Sequence, residues 1–145
     1  MIALIQRVTH AKVEVDDINI GSINSGILLL LGVEKTDAIK NTDDLLHKVI
    51  NYRIFADRDG KMNLSLLDIS GELLIVPQFT LPANTRKGTR PSFASAAPPE
   101  QGKFYYEYFI KQAKVKVKKV KTGEFGADMK VSLTNDGPVT FWLKK

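Results

Sequence analysis

At 145 residues, with 43% hydrophobic and 26% charged side chains, the chain has the composition of one globular domain and not of a disordered, collagenous or coiled-coil protein. No apolar run, residues 27–31 included, approaches the roughly 20 residues that cross a bilayer, and Met1-Ile2-Ala3-Leu4-Ile5 lacks the basic start of a secretion signal, so a cytoplasmic protein with no membrane association is expected. Cysteine is absent, which excludes disulfides, thiolate nucleophiles and sulfur-based zinc sites, and the net charge of +5 is uneven: residues 1–81 hold 8 basic and 11 acidic side chains, residues 82–145 hold 13 and 5, a bias toward a polyanionic partner.

Along the chain, Ala11, Val13 and Val15 alternate with Lys12, Glu14 and Asp16, the period-two pattern of a half-buried strand. Asp16-Asp17 makes a hairpin turn, residues 18–20 return, and residues 27–33 read as a central strand buried on both faces. Leu45, Leu46, Val49 and Ile50 recur at helical spacing behind Asn41-Thr42-Asp43-Asp44 and predict the first of two helices. Short strands at 53–55 and 64–67 flank the turn Asp57-Arg58-Asp59-Gly60, and residues 72–76 form an apolar strand that Pro77 closes. Residues 81–99 carry Pro82, Pro91, Pro98 and Pro99 in one long ordered loop, a type that often holds function. Pro98-Pro99-Glu100 opens the second helix, whose Phe104, Tyr105, Tyr108 and Phe109 read as core and not as a base-stacking surface. In residues 115–121 lysine largely alternates with valine, which predicts a strand with its lysines on one face. At the end, strands 130–133 and 139–143 are joined by Thr134-Asn135-Asp136-Gly137-Pro138, by itself a hairpin turn. The fold class is α/β: a single domain over residues 1–145, of mainly antiparallel, barrel-like sheets with two helices.

The chemistry is narrowed by what is missing. His10 lies in a β-patterned stretch and His47 in a helical one, neither beside a second histidine, so one surface and one structural histidine are expected and no metal site. No serine sits in a glycine-flanked nucleophile elbow, so a Ser-His-Asp triad is not supported. Two segments stand out. In Pro77-Gln78-Phe79-Thr80-Leu81-Pro82, polar Gln78 and Thr80 emerge directly from a core strand, a place where a rigid scaffold can hold a site. The second is Asn135-Asp136-Gly137-Pro138-Val139-Thr140. Two basic groups, Arg86, Lys87 and Arg90 on the polar loop and Lys116, Lys118 and Lys121 on the predicted strand, are candidates for binding RNA, against the plainer reading of a solvated lysine edge that blocks aggregation.

Together the two segments resemble the signatures of the D-aminoacyl-tRNA deacylases. The resemblance continues through Gln6-Arg7-Val8, Gly60-Lys61-Met62-Asn63-Leu64-Ser65, Arg86-Lys87-Gly88, Arg90-Pro91-Ser92-Phe93 and Thr122-Gly123-Glu124-Phe125-Gly126-Ala127, essentially the whole chain. It departs at Pro77, where the family has serine; proline removes both a hydroxyl and a backbone N–H. A Pro-Gln pair is also similar to an animal-restricted relative, but that relative has alanine where Phe79 stands.

The resemblance implies a homodimeric enzyme, without metal or cofactor, that takes aminoacyl-tRNA and hydrolyses the ester between a D-amino acid and the terminal adenosine. It implies Thr80, Gln78 and Phe79 as catalytic residues, and Gly137, Pro138, Phe125, Met129 and Arg7 as substrate-binding ones. In the family the Gly-Pro pair is cis and enters the partner subunit's pocket, so backbone carbonyls reject the L side chain and glycyl-tRNA is accepted. An aminoacyl ester is already activated, so a positioned water suffices, and Thr80 without a neighbouring histidine is assigned to positioning. The alternatives are a non-catalytic tRNA- or RNA-binding module and an editing deacylase for glycine or L-alanine esters.

Overall fold

The sheet of the computed structural model, which describes residues 1–86 and 88–145, is organised by β1 (Ile2–Val15). The first half of β1 pairs antiparallel with β3 (Gly26–Gly32), from Ile2↔Gly32 to Val8↔Gly26, and its second half pairs with β2 (Ile18–Ile23). Along its whole length it also pairs with β8 (Lys130–Lys144), from Ile2↔Lys144 to Glu14↔Lys130. Beyond β3 the sheet continues through two parallel strands, β6 (Glu72–Pro77) and β7 (Val120–Thr122), and β2 lies against β7, so the sheet forms a nearly closed barrel. Each parallel pair needs a long crossover, and a helix lies in each: α1 (Ile39–Asn51) between β3 and β6, α2 (Pro99–Lys116) between β6 and β7. The hairpin of β4 (Phe55–Ala56) and β5 (Met62–Leu64) follows α1.

Hydrophobic patterning explains the layers. On one face of the sheet Leu45, Leu46, Val49 and Ile50 of α1 and Tyr106, Phe109 and Ala113 of α2 cover Ile27, Leu29, Leu31, Leu73 and Ile75. On the other, Leu28, Leu74 and Val76 pack with Val8, Ala11, Val13 and Ile23, partly covered by Met129, Val131 and Leu133. Alternate residues of β3 and β6 therefore point into two cores, which is why both strands read as continuous apolar runs. The Asp16-Asp17 turn has φ of 49° and 62°, both left-handed, as a two-residue hairpin requires.

Several expectations are corrected. Residues 115–121 are not one strand: α2 runs to Lys116, where the Val117 N–H still donates to the Ala113 carbonyl, and only Val120–Thr122 are extended. Good helix formers at 111–114 carry the helix on, and the Lys-Val alternation is too short to override them; Val115 is 77% exposed while Val117 is buried. Lys116, Lys118 and Lys121 thus sit on a helix end, a linker and a strand, with no shared strand face. Of the aromatic stripe, Phe109 is core, Tyr105 is half-buried, Phe104 is 54% exposed and Tyr108 reaches Asp43 at 3.2 Å, while Tyr106 takes the inward position. Both His10 and His47 are exposed, so neither is structural. The strand placed at 64–67 ends at Leu64, and the Ser65 N–H and hydroxyl turn the chain onto Asp68. The hairpin expected at 134–138 is no reversal, because both halves of β8 pair with β1 in the same direction.

Gly26 faces Glu72 where β3 and β6 begin, and a methyl group there would overlap the Glu72 carbonyl. Gly26→Ala should therefore lower unfolding free energy by about 3 kcal/mol in a urea titration; an unchanged midpoint would show that the two strands can separate at no cost.

Candidate active site

β6 ends where the Gln78 N–H donates to the Leu31 carbonyl at 2.8 Å, the last rung of its ladder with β3. Past that rung the chain turns, with the Leu81 N–H donating to the Gln78 carbonyl and the Ala83 N–H to the Thr80 carbonyl. The turn opens onto a cavity of about 540 Å³. Pro77, Gln78 and Phe79 form one wall; Phe125, Gly126, Ala127 and Met129, from the segment after β7, form the other. Phe93, Pro99 and Gly102 close it from the long loop and the start of α2, and Tyr106 lies at its base.

Gln78 Nε2 donates to Thr80 Oγ1 at 2.6 Å, so the two polar side chains of the motif are joined. Thr80 is exposed and outside the lining, and Phe79, 65% exposed, meets Phe93 at the mouth with ring centroids 5.2 Å apart. Among the described residues no histidine stands beside the hydroxyl: His10 contacts Thr9 and Thr134, and His47 contacts Asn51. The backbone N–H groups of Phe79 and Thr80 have no acceptor among the described residues. Burial pushes the Tyr106 phenol well above the ordinary tyrosine range, so it stays protonated, able to donate a hydrogen bond but not to act as a base. The cavity is therefore apolar with amide and hydroxyl donors at one rim, an arrangement suited to holding an ester and not to attacking it with a side chain. Among the described residues no three His, Asp or Glu side chains cluster as metal ligands would.

The second motif lies elsewhere. Between Gln6↔Thr140 and Val8↔Asn135 the β1 chain advances two residues while β8 advances five, which leaves residues 136–139 without partners on β1 as a bulge, Val139 turned into the core and residues 136–138 exposed. Asn135 closes its neck: Oδ1 accepts the Val139 N–H at 2.6 Å, and Nδ2 donates to Thr140 Oγ1 at 2.9 Å. Arg7 braces it from β1, where Nε donates to the Asp136 carbonyl at 2.9 Å and lies 3.3 Å from Asp136 Oδ2, while Nη1 donates to the Ile54 carbonyl at 2.6 Å. Gly137 has φ of 142°, and a Cβ there would lie 2.6 Å from Val139 Cγ2 and 3.2 Å from Arg7 Nη2, so only glycine fits. The Gly137–Pro138 peptide is cis, and both residues are exposed.

Of the residues expected from sequence, Gln78, Phe79, Phe125 and Met129 share the cavity, with Thr80 at its rim. Gly137, Pro138 and Arg7 line no part of it in the same chain. Arg86 and Arg90 lie on an exposed excursion tied off by the Asn84↔Ser92 bridge just before Phe93; Lys87 lies outside the described residues. Phe93, Gly102 and Tyr106 were not singled out as site residues, and a glycine inside a helix was the one local sign that something approaches α2 closely.

The family profile described as D-Tyr-tRNA(Tyr) deacylase matches residues 4–144. The chain belongs to this family. A D-aminoacyl-tRNA deacylase of Pseudoalteromonas translucida is 64% identical over 143 residues, covering 99% of each chain. One of Histophilus somni (strain 2336) is 60% identical with the same coverage. Among solved structures, a c-Myc DNA unwinding element binding protein superposes with a TM-score of 0.95 at 40% identity, covering 100% of this chain and 99% of that one. A probable eukaryotic D-amino acid tRNA deacylase has a TM-score of 0.81 at 17% identity over 99% and 98%, a likeness of fold alone.

If Arg7 braces the bulge of this deacylase-family chain, Arg7→Ala should speed amide exchange at residues 136, 137 and 139 by at least about tenfold without lowering the thermal midpoint by more than a few degrees. Unchanged exchange at those amides would mean that the Asn135 neck holds the bulge unaided.

Proposed function

We propose that the chain hydrolyses the ester bond of D-aminoacyl-tRNA, releasing D-amino acid and tRNA, in the cytoplasm and as a homodimer in which the 136–139 bulge of each subunit closes the cavity of its partner. The observation that carries the reading is that the two motifs lie apart in one chain: a lined cavity without Gly137 and Pro138, and a braced bulge that buries Val139 in the core but leaves Asp136, Gly137 and Pro138 exposed. A two-fold dimer lets one surface serve both roles, since each subunit gives its bulge and receives its partner's.

In this reading the aminoacyl group enters between Pro77 and Phe125 with its carbonyl toward the Phe79 and Thr80 N–H groups, whose dipoles stabilise the oxyanion that forms on water attack. Gln78 and the Thr80 hydroxyl position the ester, and no covalent enzyme intermediate forms. Phe125 and Met129 supply the apolar wall, and Arg7 serves substrate binding through the bulge it holds. The backbone at Gly137 and Pro138 occupies the volume an L side chain needs, so chirality is read by exclusion. Arg86 and Arg90 on the exposed segment before Phe93, Lys87, which lies outside the described residues, and the scattered Lys116, Lys118 and Lys121 attract the tRNA phosphates without bearing on chirality. No cofactor enters any step.

Exclusion and side-chain recognition differ for glycine, which has only hydrogen where an L side chain would project. With matched substrates the enzyme should cleave D-tyrosyl- and glycyl-tRNA and leave L-alanyl-tRNA essentially intact; equal resistance of glycyl- and L-alanyl-tRNA would refute exclusion by the Gly-Pro backbone. A second reading, a nucleic-acid-binding module, is favoured by the name of the solved neighbour at 40% identity. It predicts tRNA retention with no ester cleavage in the same assay.

Thr80→Ala should reduce kcat by less than about a hundredfold, because removal of a true nucleophile costs about 10⁴-fold or more. Accumulation of an acyl adduct on Thr80 in the wild type would reverse this assignment.

A further inference from the structure

The two walls of the cavity meet at a seam between β6 and β7 that lacks one hydrogen bond, and the missing donor is replaced by a side chain from α2. In the parallel ladder the Leu73 N–H donates to the Lys119 carbonyl at 3.0 Å, and the Gly123 N–H donates to the Ile75 carbonyl at 2.8 Å. Continued by the two-residue repeat of a parallel pair, the next rung would run from the N–H of residue 77 to the Gly123 carbonyl. Residue 77 is proline and has no N–H to give. The Gly123 carbonyl instead faces the Tyr106 hydroxyl at 2.9 Å, which also lies 3.0 Å from the Ile75 carbonyl. Tyr106 is 3% exposed and Gly123 is buried, so a Gly123 carbonyl left without a donor would be costly.

We propose that Tyr106 is a positioning residue: its hydroxyl replaces the ladder donor that Pro77 cannot supply, and so fixes the distance between the Pro77–Phe79 wall and the Phe125–Met129 wall. The location of the seam gives this its consequence for catalysis. Pro77, on one side, precedes Gln78 and Phe79 directly; Gly123, on the other, precedes Phe125 by two residues and lies against Met129, whose Sδ is near both Gly123 and the Glu124 N–H. The Tyr106 ring packs on Phe125 with centroids 5.9 Å apart, so the same side chain sets the seam through its hydroxyl and the far wall through its ring. A relaxed seam would shift the ester relative to the rim donors, and small misplacements of a reacting group have large effects on rate.

The inference rests on the deacylase reading, and a double-mutant cycle separates the two. Tyr106→Phe keeps the ring and removes the hydroxyl; Pro77→Ser supplies a backbone N–H at the vacant rung. With D-tyrosyl-tRNA, Tyr106→Phe should lower kcat about tenfold with little change in KM, since the phosphate contacts lie elsewhere. In the Pro77→Ser background the same substitution should cost less than about twofold, because the N–H introduced at position 77 then takes the Gly123 carbonyl. Amide exchange gives a reading independent of activity: the introduced N–H should be protected in the double variant, and the Gly123 N–H should exchange faster in Tyr106→Phe alone. Equal losses in the two backgrounds, or an unprotected N–H at position 77 of the double variant, would overturn the proposal. Absence of hydrolysis by the wild type would overturn the deacylase reading while leaving the exchange result to decide the seam.

Discussion

The antiparallel pairing of β8 with β1 is the interaction on which the rest of the molecule depends. It runs from Ile2↔Lys144 to Glu14↔Lys130 and is interrupted in the stretch facing residues 6–10, where four residues of β8 go unpaired. Ladder hydrogen bonds on both sides of the gap hold the ends of the bulge at a fixed separation, so its shape is set by the sheet and not by a free loop. The same interruption places Arg7 opposite the bulge, where its guanidinium reaches the Asp136 carbonyl and the Ile54 carbonyl together. A planar donor with several N–H groups can make both contacts at once, and a lysine could not reproduce that geometry.

The cavity is anchored differently, at the ends of two parallel strands. Parallel pairs force crossovers, and the crossovers bring the long proline-containing loop and the start of α2 over the strand ends, so the fold creates a recess where β6 stops. Among the described residues the recess holds no charged side chain in its lining. In the proposed mechanism its chemistry falls to backbone N–H groups, the Gln78 amide and the Thr80 hydroxyl, which suits a substrate whose ester is already reactive and whose leaving group is a nucleic acid. In that proposal selectivity falls to shape, supplied by the bulge that Arg7 and Asn135 brace.

Much of this was visible in the residues. The apolar run at 27–31 announced a strand buried on both sides and residues 72–76 an apolar strand, and the Asp16-Asp17 turn and the buried face of α1 followed from turn chemistry and helical spacing, although α1 starts at Ile39 and so contains the Asn41–Asp44 segment read as its start. Gln78, Phe79 and Phe125 were legible through motif resemblance, and they share the cavity. What failed had physical causes. Alternating Lys and Val at 115–121 mimics a strand, but tertiary packing buries Val117 and leaves Val115 in solvent at the end of a helix. Asn-Asp-Gly-Pro reads as a reversal locally; only the long-range register with β1 reveals a bulge. The role of the Tyr106 hydroxyl depends on a ladder vacancy created by a proline distant in sequence, which no local pattern encodes.

The central claim is that the working site is assembled from two subunits, the cavity of one and the bulge of the other. Complementation tests it most directly. Arg7→Ala damages the bulge and Gln78→Ala damages the cavity, so each homodimer carries two defective sites, whereas a mixed dimer carries one site with an intact cavity and an intact bulge. After subunit exchange in an equal mixture, about half of the dimers are mixed, and D-tyrosyl-tRNA hydrolysis should recover to about a quarter of the wild-type rate. A mixture no more active than the average of the two variants, despite verified exchange, would show that each chain builds its site alone.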